Sequence, residues 1–463
     1  MRPFEWLLLL SFVPAVLLPF VPPTRRHWRF LALLLPTGAV VLHLVAEGWR
    51  TQIVPLYILV ILVLCRLMMP GQVAGGRRRR GMLASSITAL GLVFAGVFAG
   101  WLLPVITLPE PTGPYAVGVM DRELVDAARG RRLMVSVWYP AAQRGAPAPL
   151  TQHPDAIMTA LADLSGAPAL LFQHLRYVTV AASADAPVQA DGAPFPVLVF
   201  SHGLVGLRLQ NSSTLQELAS WGYVVVAIDH TDAAAVTVFP DGAARVYDLT
   251  RFGIPAGVEP DAALVDARVF PVWVADQRVV YDTLETWAHH DPVLAGKIDL
   301  TRIGSFGHSF GGATALEVCR IDARCQAAVN LDGALYGGAA TLPAVRPLLL
   351  MTAAESMRYP DTIASWSHML SMARARAYWI ELPNSSHLSF TFSQLLSPLL
   401  APPGFEPRMG LRIIDRYLRA FFDQHLRGVD TRLLDPAIGE TDVRWRSDLD
   451  RARDTLAVKN KLT

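Results

Sequence analysis

The sequence predicts an α/β domain with a mostly parallel central sheet, preceded by four transmembrane helices. Three observations carry that expectation. Apolar residues crowd the segment before Pro109, β-like and α-like segments alternate after it, and a glycine-flanked serine sits where a strand meets a helix.

The front of the chain accounts for the composition. Of 463 residues, 52% are hydrophobic and only 17% are charged, too apolar a balance for an ordinary soluble protein. Four stretches, 4–20, 30–46, 53–69 and 82–108, approach the length that crosses a ~30 Å hydrocarbon core as a helix. Pro14, Pro36 and Pro55 soften the bounds of the first three. Three more apolar stretches follow the first and no small-residue cleavage site stands out, which argues against a signal peptide. Arg25, Arg26 and Arg29 separate the first two stretches, and Arg77 to Arg80 the last two. Both basic loops then face the cytoplasm, leaving the N-terminus, the Glu47–Arg50 loop and everything after Leu108 outside. Arg66 can snorkel to the interface, and Gly96 with Gly100 allows close helix packing. The expected division is a transmembrane module at 1–108, an α/β domain at 109–428 and a polar tail at 429–463.

The large domain alternates in order. Strands are expected at 133–139, 196–200, 223–228, 302–306, 327–331, 347–351 and 378–382, each a short apolar run of the kind a buried parallel sheet uses. Helices are expected at 215–220, 275–287, 312–318 and 411–426, the last with Ile414, Leu418, Phe421 and Phe422 inward. Two insertions interrupt them: 151–192, with helix-like pieces at 155–164 and 168–177, and the loop-rich 231–270. A net charge of +2 with no basic, aromatic-laced stripe excludes a nucleic-acid partner. No zinc-like cysteine–histidine spacing occurs, so neither metal nor cofactor is expected. Cys65 lies in an apolar stretch, whereas an external, oxidising location permits Cys319 and Cys325 to pair.

The chemistry centres on Gly307-His308-Ser309-Phe310-Gly311. Strand, sharp turn and helix around G-x-S-x-G is the setting of the nucleophile elbow in α/β-hydrolases. A serine hydroxyl needs a base, and that fold delivers acid and histidine after the serine. His387 follows the last strand, whereas His368 and His425 fall in helical patterns. Asp332 and Glu355 each follow a strand, and spacing leaves both open as the acid. Two backbone amides must hold the oxyanion, expected from Phe310, after the nucleophile, and Leu204 in the His202-Gly203-Leu204 loop. His202 reads as a loop lock, and Asp229-His230-Thr231-Asp232 as strand-end hydrogen bonding rather than a metal cluster.

At these residues the chain resembles the plasma-type platelet-activating factor acetylhydrolases and their bacterial relatives. The likeness rests on Phe200-Ser201-His202-Gly203-Leu204, Gly307 to Gly312, Asp229-His230, and the segment from Gly113 to Gly118 leading to Trp138-Tyr139-Pro140. It covers roughly 109–428. The resemblance implies removal of short acyl groups, typically acetyl, from the middle position of ether phospholipids without a metal. It also implies Asp332 as acid in place of Glu355, His387 as base, and Leu204 and Phe310 as oxyanion donors. The residues after Asp332, Gly333-Ala334-Leu335-Tyr336, depart from the tryptophan-containing segment of the animal enzymes, and soluble members lack a multi-span module. The expectation is a multi-pass esterase of a bacterial inner membrane with its catalytic domain outside, its partners being the bilayer and an ester or phospholipid substrate. A general carboxylesterase or polyester hydrolase, and an inactive membrane sensor or binding protein, are the alternatives.

Overall fold

The computed structural model describes residues 1–14, 26–68, 76–436 and 442–446, which form two compact units. One comprises Met1–Ile106 with Ser165–Val178 and Leu396–Leu399, and the other holds the remainder. Residues 15–25, and the side chains of Arg26, Arg29, Arg66 and Arg77 to Arg80, lie outside what is described.

The first unit is helical: α1 (Pro3–Ser11), α2 (Arg26–Ala46), α3 (Val54–Met68) and α4 (Gly76–Leu102). Leu8, Phe12, Ala39, Ile53, Leu56, Leu59 and Val60 form its core. A Cβ on Gly96 would sit 2.8 Å from the Leu56 side chain, so glycine is what lets α4 lie against α3. One end of the bundle is clasped by charge. Arg50 and Glu5, both fully buried, pair at 2.8 Å, and the Arg50 guanidinium also donates to the Leu103 carbonyl at 2.7 Å.

Four transmembrane helices are not supported. Among the described residues only 84–102 is long and apolar enough to cross a membrane, with 19 residues and a mean hydropathy of 1.7. Part of the first stretch, 15–20, lies outside the described residues. The second and third give shorter apolar segments, 30–46 and 51–65, and α3 with its 15 residues rises only about 22 Å. Counting apolar letters overlooks where a helix actually ends.

The second unit is built on one ten-stranded sheet. In chain order its elements are β1 (Ala116–Asp126), β2 (Arg131–Ala141), the minor ribbon partners β3 (Ala148–Pro149) and β4 (Thr179–Val180), then β5 (Ser183–Ala184), β6 (Phe195–Ser201) and β7 (Val224–Asp229). After a second ribbon of β8 (Val236–Val238) and β9 (Ala244–Val246) come β10 (Ile298–His308), β11 (Cys325–Leu331), β12 (Leu348–Ala353), β13 (Ala377–Leu382) and β14 (Arg444–Trp445). The sheet runs β14-β13-β12-β11-β10-β6-β7-β2-β1-β5. From β13 to β7 all pairings are parallel, whereas β2 pairs antiparallel to both β7 and β1. The mostly parallel α/β sheet expected from the apolar runs is what forms.

Helices cover both faces of the sheet because its strands are apolar on both sides. The helical elements of this unit are α5 (Pro154–Ser165), α6 (Ser212–Ser220), α7 (Ala262–Arg268), α8 (Phe270–His290), α9 (Phe310–Ile321), α10 (Pro360–Met372) and α11 (Pro407–Arg427). Along β10, Ser305 meets Gln277 and Tyr281 of α8, while Gly304 and Phe306 on the other face meet Phe422 of α11. The inward stripe expected on α11 is buried, with Ile414, Leu418, Phe421 and Phe422 all at 0% exposure.

Seven strands escaped the sequence reading: the short β5, both minor ribbons, β1 and β14. β1 carries Asp121, Arg122 and Glu123 in its middle, so it lacks a clean apolar run. In the 429–463 segment, read as a polar tail, Arg444–Trp445 adds antiparallel to β13.

Candidate active site

The loops that carry the expected chemistry all leave the carboxyl ends of parallel strands, the edge where open α/β sheets bind ligands. Ser309 ends β10 and opens α9 with φ 56° and ψ −123°. A non-glycine residue is rarely held at positive φ, and here the neighbours over-determine it. The Ser309 amide donates to the Leu331 carbonyl at 2.8 Å. A Cβ on Gly307 would meet the Gly311 main chain at 2.2 Å, and one on Gly311 would meet the Ser201 carbonyl at 2.1 Å. The turn therefore closes only with both glycines.

Asp332, the residue after Leu331, is also at positive φ, 57°. Its buried carboxylate accepts from the Ala353 amide at 2.8 Å and the Ser356 hydroxyl at 2.8 Å. His387 Nδ1 stands 2.7 Å from the same oxygen that Ser356 holds. A buried carboxylate can only accept, so Nδ1 carries the proton and Nε2 is left as the basic nitrogen. The ring of His387 is 42% exposed and lies 4.5 Å, centroid to centroid, from the ring of His308, the residue preceding Ser309.

Glu355 is near the same imidazole but in another role. It accepts from the main-chain amide of His387 at 3.2 Å, not from the ring. Of the two carboxylates left open by spacing, Asp332 is the one on Nδ1. His368 is exposed on α10, and His425 lies 3.3 Å from the Tyr378 hydroxyl.

The loop after β6 is held rigidly. His202 Nδ1 donates to the Gly203 carbonyl at 2.6 Å, and its Nε2 accepts the His230 amide at 3.2 Å. Burial holds the His202 imidazole well below its ordinary pKa, so it stays neutral in this lock. Val205 sits at φ 64° while its amide donates to the Ala233 carbonyl at 3.0 Å. A Cβ on Gly203 would stand 3.2 Å from Ser309 Cβ, so this loop lies directly against Ser309. Among the described residues neither the Leu204 nor the Phe310 amide donates to a protein acceptor.

Asp229 and His230 are engaged within the protein at the end of β7. Asp229 forms a buried ion pair with Arg208, and His230 bridges Asp276 at 3.2 Å and Ser201 at 3.1 Å while stacking on Trp273. Cys319 and Cys325 are disulfide-bonded where α9 turns into β11. Three contributors went unnoticed in the sequence. Ser356 is a second donor to Asp332, and Gln210 and His308 form a chain that ends on the His387 carbonyl. Burial beside His387 lowers the His308 pKa to about 3, so it too is neutral.

A serine at a strained strand-to-helix turn, a histidine after the last parallel strand and a carboxylate on its Nδ1 define an α/β-hydrolase. The family model described as platelet-activating factor acetylhydrolase, isoform II, matches residues 103–246 and 281–440. The chain belongs to that family, one of carboxylic ester hydrolases. A platelet-activating factor acetylhydrolase of Cavia porcellus is 28% identical over 245 residues, covering 49% of this chain and 55% of its own. A probable 1-alkyl-2-acetylglycerophosphocholine esterase of Arthroderma benhamiae is 30% identical over 257 residues, covering 50% and 60% respectively. The chain thus spans little more than half the length of these two relatives. A solved ferulic acid esterase from Streptomyces cinnamoneus is similar at a TM-score of 0.60 and 28% identity, covering 74% of this chain and 99% of that one.

Proposed function

We propose that the protein is a membrane-anchored serine esterase that hydrolyses short-chain acyl esters, the sn-2 acetyl group of platelet-activating-factor-like phospholipids first among them. The observation that carries this reading is the 2.7 Å bond between His387 Nδ1 and buried Asp332, beside an elbow serine. In the proposed reaction Ser309 Oγ attacks the ester carbonyl as His387 Nε2 takes its proton. Asp332 steadies the resulting imidazolium, and the Leu204 and Phe310 amides receive the charge on the carbonyl oxygen. His387 then protonates the departing alcohol, and water, activated by the same nitrogen, releases the acyl group from Ser309. No step calls on a metal or cofactor.

Acetyl-phospholipid as substrate is supported by the family and by the names of its relatives. Membrane attachment is supported by the first unit's exterior. On α4 the exposed residues Ile87, Leu90, Phe94, Phe98 and Trp101 form one stripe, the face that lipid would cover. Exposed Trp6, Trp49 and Trp101 gather toward the end of the bundle clasped by Arg50, as interfacial tryptophans do. The run Arg77 to Arg80 opens α4 at the opposite end, so that end is assigned to the cytoplasm of a bacterial inner membrane and the catalytic unit to the outer side.

The ferulic acid esterase likeness, which spans nearly that whole structure, favours a second reading, a broader carboxylesterase. A fluorophosphonate probe and an ester panel on the full chain decide. Labelling lost in Ser309→Ala, with acetyl-phospholipid turned over faster than feruloyl or long-chain esters, is the expected result. Preference for simple or aromatic esters selects the broader esterase, and an unlabelled wild type would leave only an inactive binding domain.

A further inference from the structure

The main chain of His387 is gripped at both ends. Glu355 accepts its amide proton at 3.2 Å, and His308 Nε2 lies 2.9 Å from its carbonyl oxygen. A carbonyl only accepts, so Nε2 of His308 carries the proton and Nδ1 is bare. The Gln210 side-chain amide donates to that bare nitrogen at 3.0 Å, which fixes the tautomer. Gln210 lies just before α6, on the stretch that continues the Gly203–Gly206 loop, and its own carbonyl accepts from the Phe392 amide at 3.2 Å. Next to it, Asn211 donates to the Phe390 carbonyl at 2.7 Å.

From this chain of contacts we propose that Gln210 and His308 are positioning residues that lock the base-bearing loop to the oxyanion-bearing loop across the nucleophile elbow. The proposal rests on the Ser309–His387–Asp332 reading. His308 is 3% exposed, and both of its ring nitrogens are engaged by protein, so its work is to hold, not to transfer protons to solvent. The histidine of the elbow is thus selected for the two-ended geometry of an imidazole: it reaches a main-chain oxygen on one side while being addressed from the other. Its adjacency to Ser309 makes the register of His387 and the register of the nucleophile one and the same constraint. Loss of the relay frees the His387 peptide to drift, and misplacement on the order of 1 Å costs up to roughly 100-fold in turnover.

The test compares His308→Phe, His308→Gln, Gln210→Met and the Gln210→Met/His308→Phe double variant in the full chain, with Ser309→Ala as control, on p-nitrophenyl acetate. His308→Phe keeps the ring but removes the donor, and should lower kcat roughly 10- to 100-fold with KM within about twofold. Gln places its amide nitrogen near the former Nε2, so His308→Gln should recover most of that loss. Gln210 acts only through His308, so the double variant should be no slower than His308→Phe alone. Wild-type kcat in His308→Phe, no recovery in His308→Gln, or losses that multiply in the double variant would each overturn the relay while an inactive Ser309→Ala leaves the triad standing. An active Ser309→Ala would instead remove the triad and the relay together. Should His308→Phe fail to fold, Gln210→Met carries the test alone: a fall in kcat at constant KM and melting temperature sustains the relay, and unchanged kcat refutes it.

Discussion

Replacing Asp332 with asparagine isolates the acid of the proposed triad with one atom changed. The carboxylate serves three donors with two oxygens: Ala353 N–H on one, Ser356 O–H and His387 Nδ1–H on the other. An asparagine has a single oxygen, so one side of the site must face an NH2. Turning that NH2 toward Ala353 would set two buried donors against each other. The cheaper arrangement turns it toward His387, where it donates to Nδ1 and moves the ring proton to Nε2. That nitrogen is the one assigned to Ser309, and once protonated it no longer accepts the hydroxyl proton. In Ser-His-Asp sites this substitution lowers kcat by roughly 10⁴-fold, or about 5.5 kcal/mol of transition-state free energy. Glu355→Gln provides the contrast. Glu355 accepts from a main-chain amide only, and a glutamine oxygen can do the same, so kcat should stay within about fivefold. The assay is steady-state hydrolysis of p-nitrophenyl acetate with melting temperatures measured in parallel. Asp332→Asn retaining more than about a tenth of wild-type kcat, or Glu355→Gln falling as far as Asp332→Asn, would refute the assignment.

Two further outcomes follow from buried groups away from the catalytic loops. Asp415 of α11 is pushed up to about 8 by burial, and one of its carboxyl oxygens has no hydrogen-bond partner among the described residues. Because the folded pKa lies above the unfolded value, the folded state holds the extra proton, and stability falls as pH rises from about 4 toward 8. Asp415→Asn should therefore raise stability by about 4 kcal/mol at pH 7, with the gain vanishing below about pH 4, as read from urea midpoints across pH. The same gain at every pH would contradict a titrating carboxyl. The Cys319–Cys325 bond closes a loop with a sequence separation of 6, so replacing both by serine should cost about 2 kcal/mol. In protein made in its native host, alkylation after denaturation should leave both cysteines unmodified until a reductant is added; two free thiols would count against the proposed external placement of the domain.

The parts of the site carried by local pattern were legible, and those carried by direction were not. Ser309 is announced by glycines whose Cβ atoms would collide with main chain, a constraint written into five consecutive residues. His387 is found by its place after the last apolar run. Spacing alone left Asp332 and Glu355 open, and only the family resemblance favoured Asp332, because both follow strands and both reach His387, one at its ring and the other at its main chain. No one-dimensional spacing distinguishes an imidazole nitrogen from an amide nitrogen of the same residue. Gln210 carries no motif, and it meets His308 across 98 positions of sequence. β1 was lost because a half-exposed strand alternates with charges, and spans were overcounted among the described residues because apolar content does not reveal a helix terminus.

The positive-φ residues link fold to chemistry. Besides glycines, Val205, Ser309, Asp332 and Asn384 all sit in the left-handed region, at φ 64°, 56°, 57° and 55°. They fall in the loops that bear the proposed oxyanion amide, nucleophile, acid and base. Val205 is the least expected, since a β-branched residue at that angle is a true outlier and of order 1–3 kcal/mol must be recovered from its surroundings. The surroundings that can supply it are identifiable. Arg208 and Asp229 form a buried ion pair just beyond this loop, and the Asp229 carboxylate also accepts the Arg208 amide at 2.6 Å. His202 grips the carbonyl of Gly203 from the other side, itself steadied by the His230 amide. Such a charge pair contributes little net stability, but it fixes where the chain must pass. Its expense is justified if the Leu204 amide has to point at a carbonyl oxygen before any ester arrives, because preorganised donors need no rearrangement as charge develops. The buried polar lattice beneath the loop and the strained backbone within it are then two halves of one device, and neither is explained by folding alone.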